Sequence, residues 1–264
     1  MCRLFGLIAN KPVDIRYSFY EAPVESFEAQ SRGNPDGWGV AWLEEGGWGI
    51  FKEPIPLYES RKARPLIKRI VRGRIIVSHV RLASMGELKL ENTHPWIYKG
   101  WVFAHNGSID RGKLLALLEE EYRADLVGDT DSEVFFHLII QEYSYTRDPV
   151  KAIINAVNMI VDNRIGFSSL NFIASDGLRL YALRYASRNL DYYTLYYIVR
   201  PRGEIGLNKL SKETRQLIQT KLSRREKAVV VASEKMSDEP YWALIPNKHL
   251  LVVDEKLGIR LNEI

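Results

Sequence analysis

Met1-Cys2-Arg3-Leu4-Phe5-Gly6 is the stretch from which the organisation of this chain is best understood. Residues 3–9 form a short, continuous apolar run, which is typical of a buried strand. Cys2 heads this run and is the only cysteine in 264 residues, so no intrachain disulfide is available. Its default interpretation is a core residue, because cysteine is among the most often buried residue types.

A second interpretation of Cys2 depends on its position. Cleavage of the initiator Met1, which a small residue at position 2 permits, would place a thiol and a free α-amine on Cys2. The thiolate is the reactive form of cysteine and therefore needs a nearby base. The α-amine has an unperturbed pKa of about 7.7–8.0, so it can accept the thiol proton without help from another residue.

Bulk composition indicates an ordinary globular protein. Hydrophobic residues make up 46% of the chain and charged residues 27%, and the net charge is +4. We expect a cytoplasmic protein with no membrane association, because no apolar run is long enough to span a bilayer and the start lacks the features of a secretory signal. A single cysteine also fits a reducing compartment.

The basic excess is concentrated in residues 200–227, which contain nine basic and three acidic side chains. No aromatic residues interleave with them, so this segment lacks a stacking platform for bases. We interpret it as a solvated, charge-rich helix with its linkers, and we expect no nucleic-acid partner.

The order of the predicted elements favours an α+β fold. Mainly antiparallel strands, separated from pairs of helices, argue against a doubly wound parallel sheet. We find no repeat and no convincing linker, so one domain is expected. The predicted strands are 3–9, 38–43, 48–52, 74–80, 101–104, 169–174, 179–185, 192–199, 227–232, 250–253 and 258–261, and the predicted helices are 21–30, 62–71, 111–121, 130–142 and 149–161.

Polar residues follow two of the predicted strands, where a rigid scaffold presents side chains to a site. His79 and Arg81 end one strand, and Asn106-Gly107 follows another. Locally, Asn-Gly is a type I′ turn signal. The same pair also supplies a side-chain amide beside an unobstructed backbone N–H, which are the donors that stabilise a tetrahedral oxyanion.

Charged residues near these strand ends have a structural and a functional interpretation. Arg81 needs a partner, either a structural carboxylate or the carboxylate of a substrate. Asp129 and Asp131 open a predicted helix and are by default N-cap and first-turn acids. The functional interpretation is that one of these two carboxylates binds a substrate ammonium group.

Four histidines raise the question of a metal site. His79, His94, His105 and His137 match no known ligand spacing, and their neighbours explain each as a loop or core residue. We therefore expect no metal.

Six motifs occur in order along the first half of the chain: Met1-Cys2-Arg3-Leu4-Phe5-Gly6, Asp36-Gly37-Trp38-Gly39, Ser78-His79-Val80-Arg81, Asn92-Thr93-His94-Pro95, His105-Asn106-Gly107 and Asp129-Thr130-Asp131-Ser132-Glu133. In order and approximate spacing, this set resembles class II glutamine amidotransferase domains, which are N-terminal-nucleophile (Ntn) hydrolases. The similarity is greatest to the stand-alone YafJ-type branch, which is related to the γ-glutamyl hydrolase of ergothioneine synthesis. The stretch 231–234 and Trp242 with Ile245-Pro246 are similar with weaker specificity.

The resemblance implies a four-layer αββα sandwich with largely antiparallel sheets and the thiol at the end of a central strand. By motif position, Cys2 is the expected nucleophile and its own α-amine the base. Asn106 and Gly107 are the expected oxyanion hole. No cofactor is implied.

The resemblance also implies how a substrate is held. Arg81 is expected to bind the α-carboxylate of glutamine and Asp131 its α-ammonium group, while Ser84 takes the place of a small hydroxyl residue near that carboxylate. Leu82 and Met85 replace the Trp and His of sugar-specific members, so the resemblance implies neither the loop closure of those enzymes nor a link to a sugar acceptor.

A further Arg-Gly pair, Arg32-Gly33, resembles the pair that the family places near its active site. One residue is inserted before Gly39 relative to the family pattern, which weakens the match.

Together these features predict an enzyme that hydrolyses the side-chain amide of glutamine, or a γ-glutamyl amide, through a γ-glutamyl thioester on Cys2. The released ammonia or amine either leaves or passes to a separate synthase subunit. The alternative is a non-catalytic Ntn-fold module that binds a partner or a γ-glutamyl ligand. We expect residues 1–264 to form one glutamine amidotransferase type-2 domain, with core motifs in 2–135 and a basic helical insertion at about 200–227.

Overall fold

Strands occupy both ends of the chain, and the two longest helices lie in its middle. The computed structural model describes residues 2–201 and 207–264. No helix in this described part is long and apolar enough to cross a membrane. The strands are β1 (Arg3–Val13), β2 (Trp38–Glu44), β3 (Gly47–Glu53), β4 (Gly73–Val80), β5 (Trp96–Tyr98), β6 (Trp101–Asn106), β7 (Asn171–Ser175), β8 (Leu180–Arg184), β9 (Tyr196–Arg200), β10 (Ala228–Ala232), β11 (Ala243–Leu244), β12 (His249–Val253) and β13 (Ile259–Glu263), and the α-helices are α1 (Phe27–Gln30), α2 (Ala63–Arg69), α3 (Arg111–Leu115), α4 (Glu120–Ala124), α5 (Asp131–Thr146), α6 (Pro149–Asp162) and α7 (Lys212–Ser223).

The described strands form two sheets, and the strand pairs within them are antiparallel. The first sheet has the order β11-β9-β10-β1-β4-β2-β3, so the strand that follows Cys2 is central. The second sheet has the order β13-β12-β8-β7-β6-β5. The predicted hairpin of β2 and β3 is present, with Trp38 opposite Glu53.

The two sheets pack face to face, and helices cover their outer faces. One apolar cluster lies between the sheets and includes Leu4 of β1 and Ala104 of β6. A second cluster packs α1 and α2 on the first sheet, and a third packs α3 to α6 on the second. The αββα sandwich predicted from the sequence is confirmed.

The predicted helix at 21–30 is shorter than expected. A π-helical turn covers Tyr17–Glu21, and α1 begins only after Ser26, whose side chain accepts from the Ala29 N–H. Between them Ala22 is extended, as expected for a residue that precedes a proline. Pro23 therefore separates two short helical turns.

The predicted helix at 111–121 is divided into α3 and α4. The interruption has a tertiary cause, because the side chain of Gln141 on α5 bonds to the backbone between them. It accepts the Glu119 N–H at 2.8 Å and donates to the Leu117 carbonyl at 3.2 Å. These bonds replace the helical ones at this point.

Residues 200–227 contain the expected helix, α7, while residues 202–206 lie outside the described part. Two basic side chains of this segment are buried, in contrast to the solvated character expected for it. Arg200 ends β9 and pairs with Glu239, with 2.6 Å between Nη2 and Oε2. Lys221 is also buried and ion-paired. Their partners explain how these charges are accommodated inside the protein.

Candidate active site

Three strands direct polar side chains to one end of the layer between the sheets. Side chains alternate along a strand, and Leu4, Val77 and Ala104 all face the core between the sheets. By this alternation, Cys2 at the start of β1 and Asn106 at the end of β6 face the same layer. The chain after β4 brings Arg81 to the same cavity as Cys2.

The thiol of Cys2 contacts the backbone of one residue, Leu82. Its Sγ accepts a hydrogen bond from the Leu82 N–H at 3.2 Å and lies 3.3 Å from the Leu82 carbonyl oxygen. Burial raises the pKa of the thiol, while the Leu82 bond and the charge of Arg81 act to lower it. Because the net shift is upward, the thiol needs a base before it can react.

Asn106 and Gly107 do not form a hairpin turn. A type I′ turn needs positive φ at both central residues, and neither residue has it. Asn106 is buried, yet its Nδ2 has no hydrogen-bond partner among the described residues. A Cβ at Gly107 would lie 1.9 Å from the Ser169 carbonyl oxygen, so only glycine fits there. The structure therefore contains an unused, buried amide donor beside a glycine N–H.

Arg81 is buried, and backbone carbonyls hold its guanidinium. It donates to the carbonyl oxygens of Met85, Gly86 and Glu87 at 2.7–3.2 Å. Burial lowers its pKa. Among the described residues no carboxylate lies within ion-pairing distance, so the structural carboxylate considered from the sequence is not its partner. The positive charge remains available to an anion.

Asp131 is buried at the first position of α5 and has hydrogen-bond donors on both oxygens. Oδ2 accepts the Ile109 N–H at 2.6 Å, and Oδ1 accepts the Ser132 N–H at 2.8 Å. The N-cap is Thr130, whose side chain accepts the Glu133 N–H. Asp131 is therefore a first-turn acid, as its default interpretation held, and neither it nor Asp129 is the cap.

Two other predicted residues differ in where they lie. Ser84 is exposed, but it lines the same small cavity as Cys2. Arg32 does not line this cavity, and its guanidinium lies 5.2 Å from the centre of the Tyr58 ring.

The cavity beside Cys2 has a volume of about 20 Å³, which is room for a single water molecule. Residues 82–85 form part of its wall, together with Arg81, His94, His105, Gly107 and residues 130–132. The Cys2 side chain is itself half-buried at this cavity.

Two of the histidines that the sequence explained as loop or core residues, His79 and His94, form a buried stack at the wall of the cavity. The rings of His79 and His94 stack at 3.9 Å, and His94 lies edge-on to Trp96. Burial lowers the pKa of His79 to about 3 and that of His94 well below its usual range, so both are neutral at pH 7. Both ring nitrogens of His94 are buried without a partner among the described residues. The sequence contained no signal for this stack.

The sequence also raised the question of whether the four histidines bind a metal ion. Within residues 2–201 and 207–264 we find no group of three or more His, Cys, Asp or Glu side chains arranged to hold a metal ion.

Comparison with known proteins gives consistent matches. The model of the family "Glutamine amidotransferases class-II" matches residues 1–258. The chain is 29% identical over 254 residues to the putative glutamine amidotransferase YafJ of Escherichia coli, covering 93% of this chain and 94% of that protein. It is 27% identical over 222 residues to the gamma-glutamyl-hercynylcysteine sulfoxide hydrolase of Mycolicibacterium smegmatis, covering 83% and 78%.

A solved structure shares the fold. The glutamine aminotransferase class-II domain protein from Silicibacter pomeroyi aligns with a TM-score of 0.67 at 21% identity, and the alignment covers 99% of both chains.

Proposed function

Because this chain belongs to the class II glutamine amidotransferases, whose family model matches residues 1–258, we propose that it opens a γ-carboxamide through a thioester on Cys2. The family resemblance predicted from the sequence is confirmed, and the chain is an enzyme that acts on glutamine-type amides. The finer steps below are our proposal.

One observation carries the proposal. The Nδ2 of Asn106 is buried and has no partner among the described residues, and the adjoining Gly107 lines the cavity that Cys2 occupies. A buried donor without a partner costs about 1–3 kcal/mol, so it is expected to have a use. An oxyanion formed at a carbonyl beside the thiol would accept from this amide and from the Gly107 N–H.

In the first half of the reaction, the thiol proton of Cys2 passes to the α-amine that removal of Met1 exposes. The sulfur then adds to the γ-carbonyl carbon, and the oxygen takes the negative charge opposite Asn106 and Gly107. Collapse breaks the C–N bond while the α-ammonium returns its proton to the leaving nitrogen. Ammonia or an amine departs, and a γ-glutamyl thioester remains.

In the second half, a water molecule attacks the thioester. The α-amine accepts the proton of the water, a second oxyanion forms in the same place, and the C–S bond breaks. The departing sulfur takes this proton back from the α-ammonium group, which becomes the free amine again, and glutamate leaves. Burial, which raises the pKa of Cys2, favours return of this proton to the sulfur.

Recognition of the substrate is assigned to the charges beside the thiol. Arg81 is buried without a carboxylate partner among the described residues and suits the α-carboxylate. Asp131 suits the α-ammonium group, and Ser84 on the loop supplies a hydroxyl near the carboxylate.

The leaving group is ammonia if the substrate is glutamine, and an amine if it is a γ-glutamyl amide. The relative from Mycolicibacterium smegmatis is named as a hydrolase of a γ-glutamyl compound, which supports the second class. Delivery of ammonia to a separate synthase subunit is the alternative fate. We also propose that residues 1–264 act as one domain, since both sheets share the core between them.

The test is the intact mass of the native protein, alone and after incubation with 6-diazo-5-oxo-L-norleucine, a reactive analogue of glutamine. We expect a chain that lacks Met1 and gains one adduct, and we expect Cys2→Ala to gain none. A native chain that still begins with methionine, or one that stays unlabelled, would overturn the mechanism. It would favour the binding-module alternative.

A further inference from the structure

The motif Asn92-Thr93-His94-Pro95 has no role in the proposed reaction, and Asn92 is one of its buried polar residues. It ends a 3₁₀ turn, Leu90–Asn92, and is fully buried. Its side-chain amide lies between two loops of the candidate active site. One loop contacts Arg81, and the other leads into Asp131.

The first contact of Asn92 is with the loop that holds the guanidinium. Its Nδ2 donates to the Glu87 carbonyl oxygen at 3.1 Å. The same oxygen accepts from Nη1 of Arg81 at 3.2 Å. One carbonyl therefore joins the amide of Asn92 to the guanidinium of Arg81.

The second contact is with the turn before α5. The Oδ1 of Asn92 accepts the Asp129 N–H at 2.8 Å, two residues before Asp131. Nδ2 also lies 3.5 Å from Oδ2 of Asp129, at the limit of a hydrogen bond. One planar amide thus bonds to both loops.

Two glycines, one on each loop, lie close to this amide. A Cβ at Gly86 would lie 2.7 Å from Nδ2 of Asn92, and one at Gly128 would lie 2.5 Å from Oδ1. Gly86 also has a φ of +78°, which favours glycine. The close approach of both loops leaves the amide little freedom to move.

We propose that Asn92 is a positioning residue that sets the separation between Arg81 and Asp131, and with it the fit for the α-amino-acid end of the substrate. This inference rests on the proposed function, which gives these two residues the α-carboxylate and the α-ammonium group. A rigid amide that bonds to both loops holds the two charges at one spacing. Ligands that carry both groups gain from that spacing, and reagents that carry neither do not.

The experiment compares two reagents for the single thiol. 6-Diazo-5-oxo-L-norleucine has an α-amino-acid end, so its binding depends on the spacing between Arg81 and Asp131. Iodoacetamide has no α-amino-acid end, so its rate reports only the reactivity of the thiol. In Asn92→Ala we expect the labelling rate constant for the diazo reagent to fall about tenfold, with the iodoacetamide rate within about twofold of the native value. The matched control is Asn10→Ala. Asn10 makes the same two kinds of bond, to the Lys227 N–H and the Arg225 carbonyl, far from the site.

A second variant covers the case in which Asn92→Ala is too unstable to purify. Asn92→Asp keeps the shape and the acceptor for the Asp129 N–H but loses the donor to Glu87. We expect the same selective loss. An unchanged diazo rate, or an equal loss with both reagents, would overturn the inference. A native enzyme that does not react with the diazo reagent would instead overturn the proposed function.

Discussion

Two buried polar clusters in this protein differ in how completely their hydrogen bonds are made. Around Arg200, Nε and Nη2 donate to Glu239 and to the Ser237 hydroxyl, each at 2.7 Å. At the candidate active site, the amide of Asn106 and both ring nitrogens of His94 are buried with no partner in the described residues.

The difference separates a structural cluster from a functional one. Buried polar groups are nearly always paired, because a lost hydrogen bond inside a protein is not replaced by water. The Arg200 cluster obeys this rule and joins β9 to the chain that follows β10. The site departs from it, which is expected where a substrate or water supplies the missing partner. Four predictions test this division.

The largest effect is expected in the Arg200 cluster. Glu239→Ala leaves a buried guanidinium unpaired, and we expect it to lower the free energy of unfolding by about 3–5 kcal/mol. The rate of glutamine hydrolysis should change little below the unfolding transition. Urea unfolding measures the first quantity. The control is Arg64→Ala, which removes a more exposed ion pair with Glu28 and should cost less than about 1 kcal/mol.

Removal of the Asn106 amide should have the opposite effects, a large loss of activity and a small change in stability. We expect Asn106→Ala to lower kcat by about 10²–10³, since the oxyanion loses one of its two donors. The free energy of unfolding should change by less than about 1 kcal/mol, because the Nδ2 of Asn106 has no partner to lose among the described residues. Steady-state kinetics and urea unfolding measure the two quantities. An unchanged kcat would remove Asn106 from the oxyanion hole.

A smaller effect is expected at Arg81, which has no carboxylate partner among the described residues. Arg81→Lys replaces a planar fork with a point charge, and we expect KM for glutamine to rise about tenfold, with a smaller fall in kcat. Saturation kinetics measure this, and Arg69→Lys on the exposed face of α2 is the control. A lost kcat with an intact KM would contradict the assignment of Arg81 to the substrate carboxylate.

Near neutral pH, the smallest effect is the pH dependence of stability that His79 contributes. Its pKa is about 3 in the folded chain, below the usual value of 6.5, because burial disfavours the charged ring. The unfolded chain therefore binds more protons between these values, and stability falls as pH drops from about 6.5 towards 3. The slope is at most about 1.4 kcal/mol per pH unit for this group. His79→Gln should flatten the dependence in urea unfolding at several pH values. An unchanged slope would show that His79 does not contribute.

Local signals predicted the elements that carry the site. The β-branched run before Ser78 and the apolar run after Cys2 became neighbouring strands, with Leu4 opposite His79. Two helices were predicted less accurately. Within 21–30 the break has a local cause, Pro23, whereas within 111–121 a side chain distant in sequence decides where the helix breaks. Gln141 replaces the helical bonds near residue 119, and no pattern within 111–121 indicates this.

The sequence by itself determined the family, the layered α+β fold and the set of residues that the family resemblance assigns to the site. These properties depend on residue type and on the alternation of side chains, which are local. Tertiary structure alone decided which polar groups are paired. It left the side-chain amide of Asn106 without a partner among the described residues, enclosed the His94 ring and placed Asn92 between two loops. Hydrogen bonding between segments far apart in the chain depends on how the sheets and loops pack, and no local pattern encodes it.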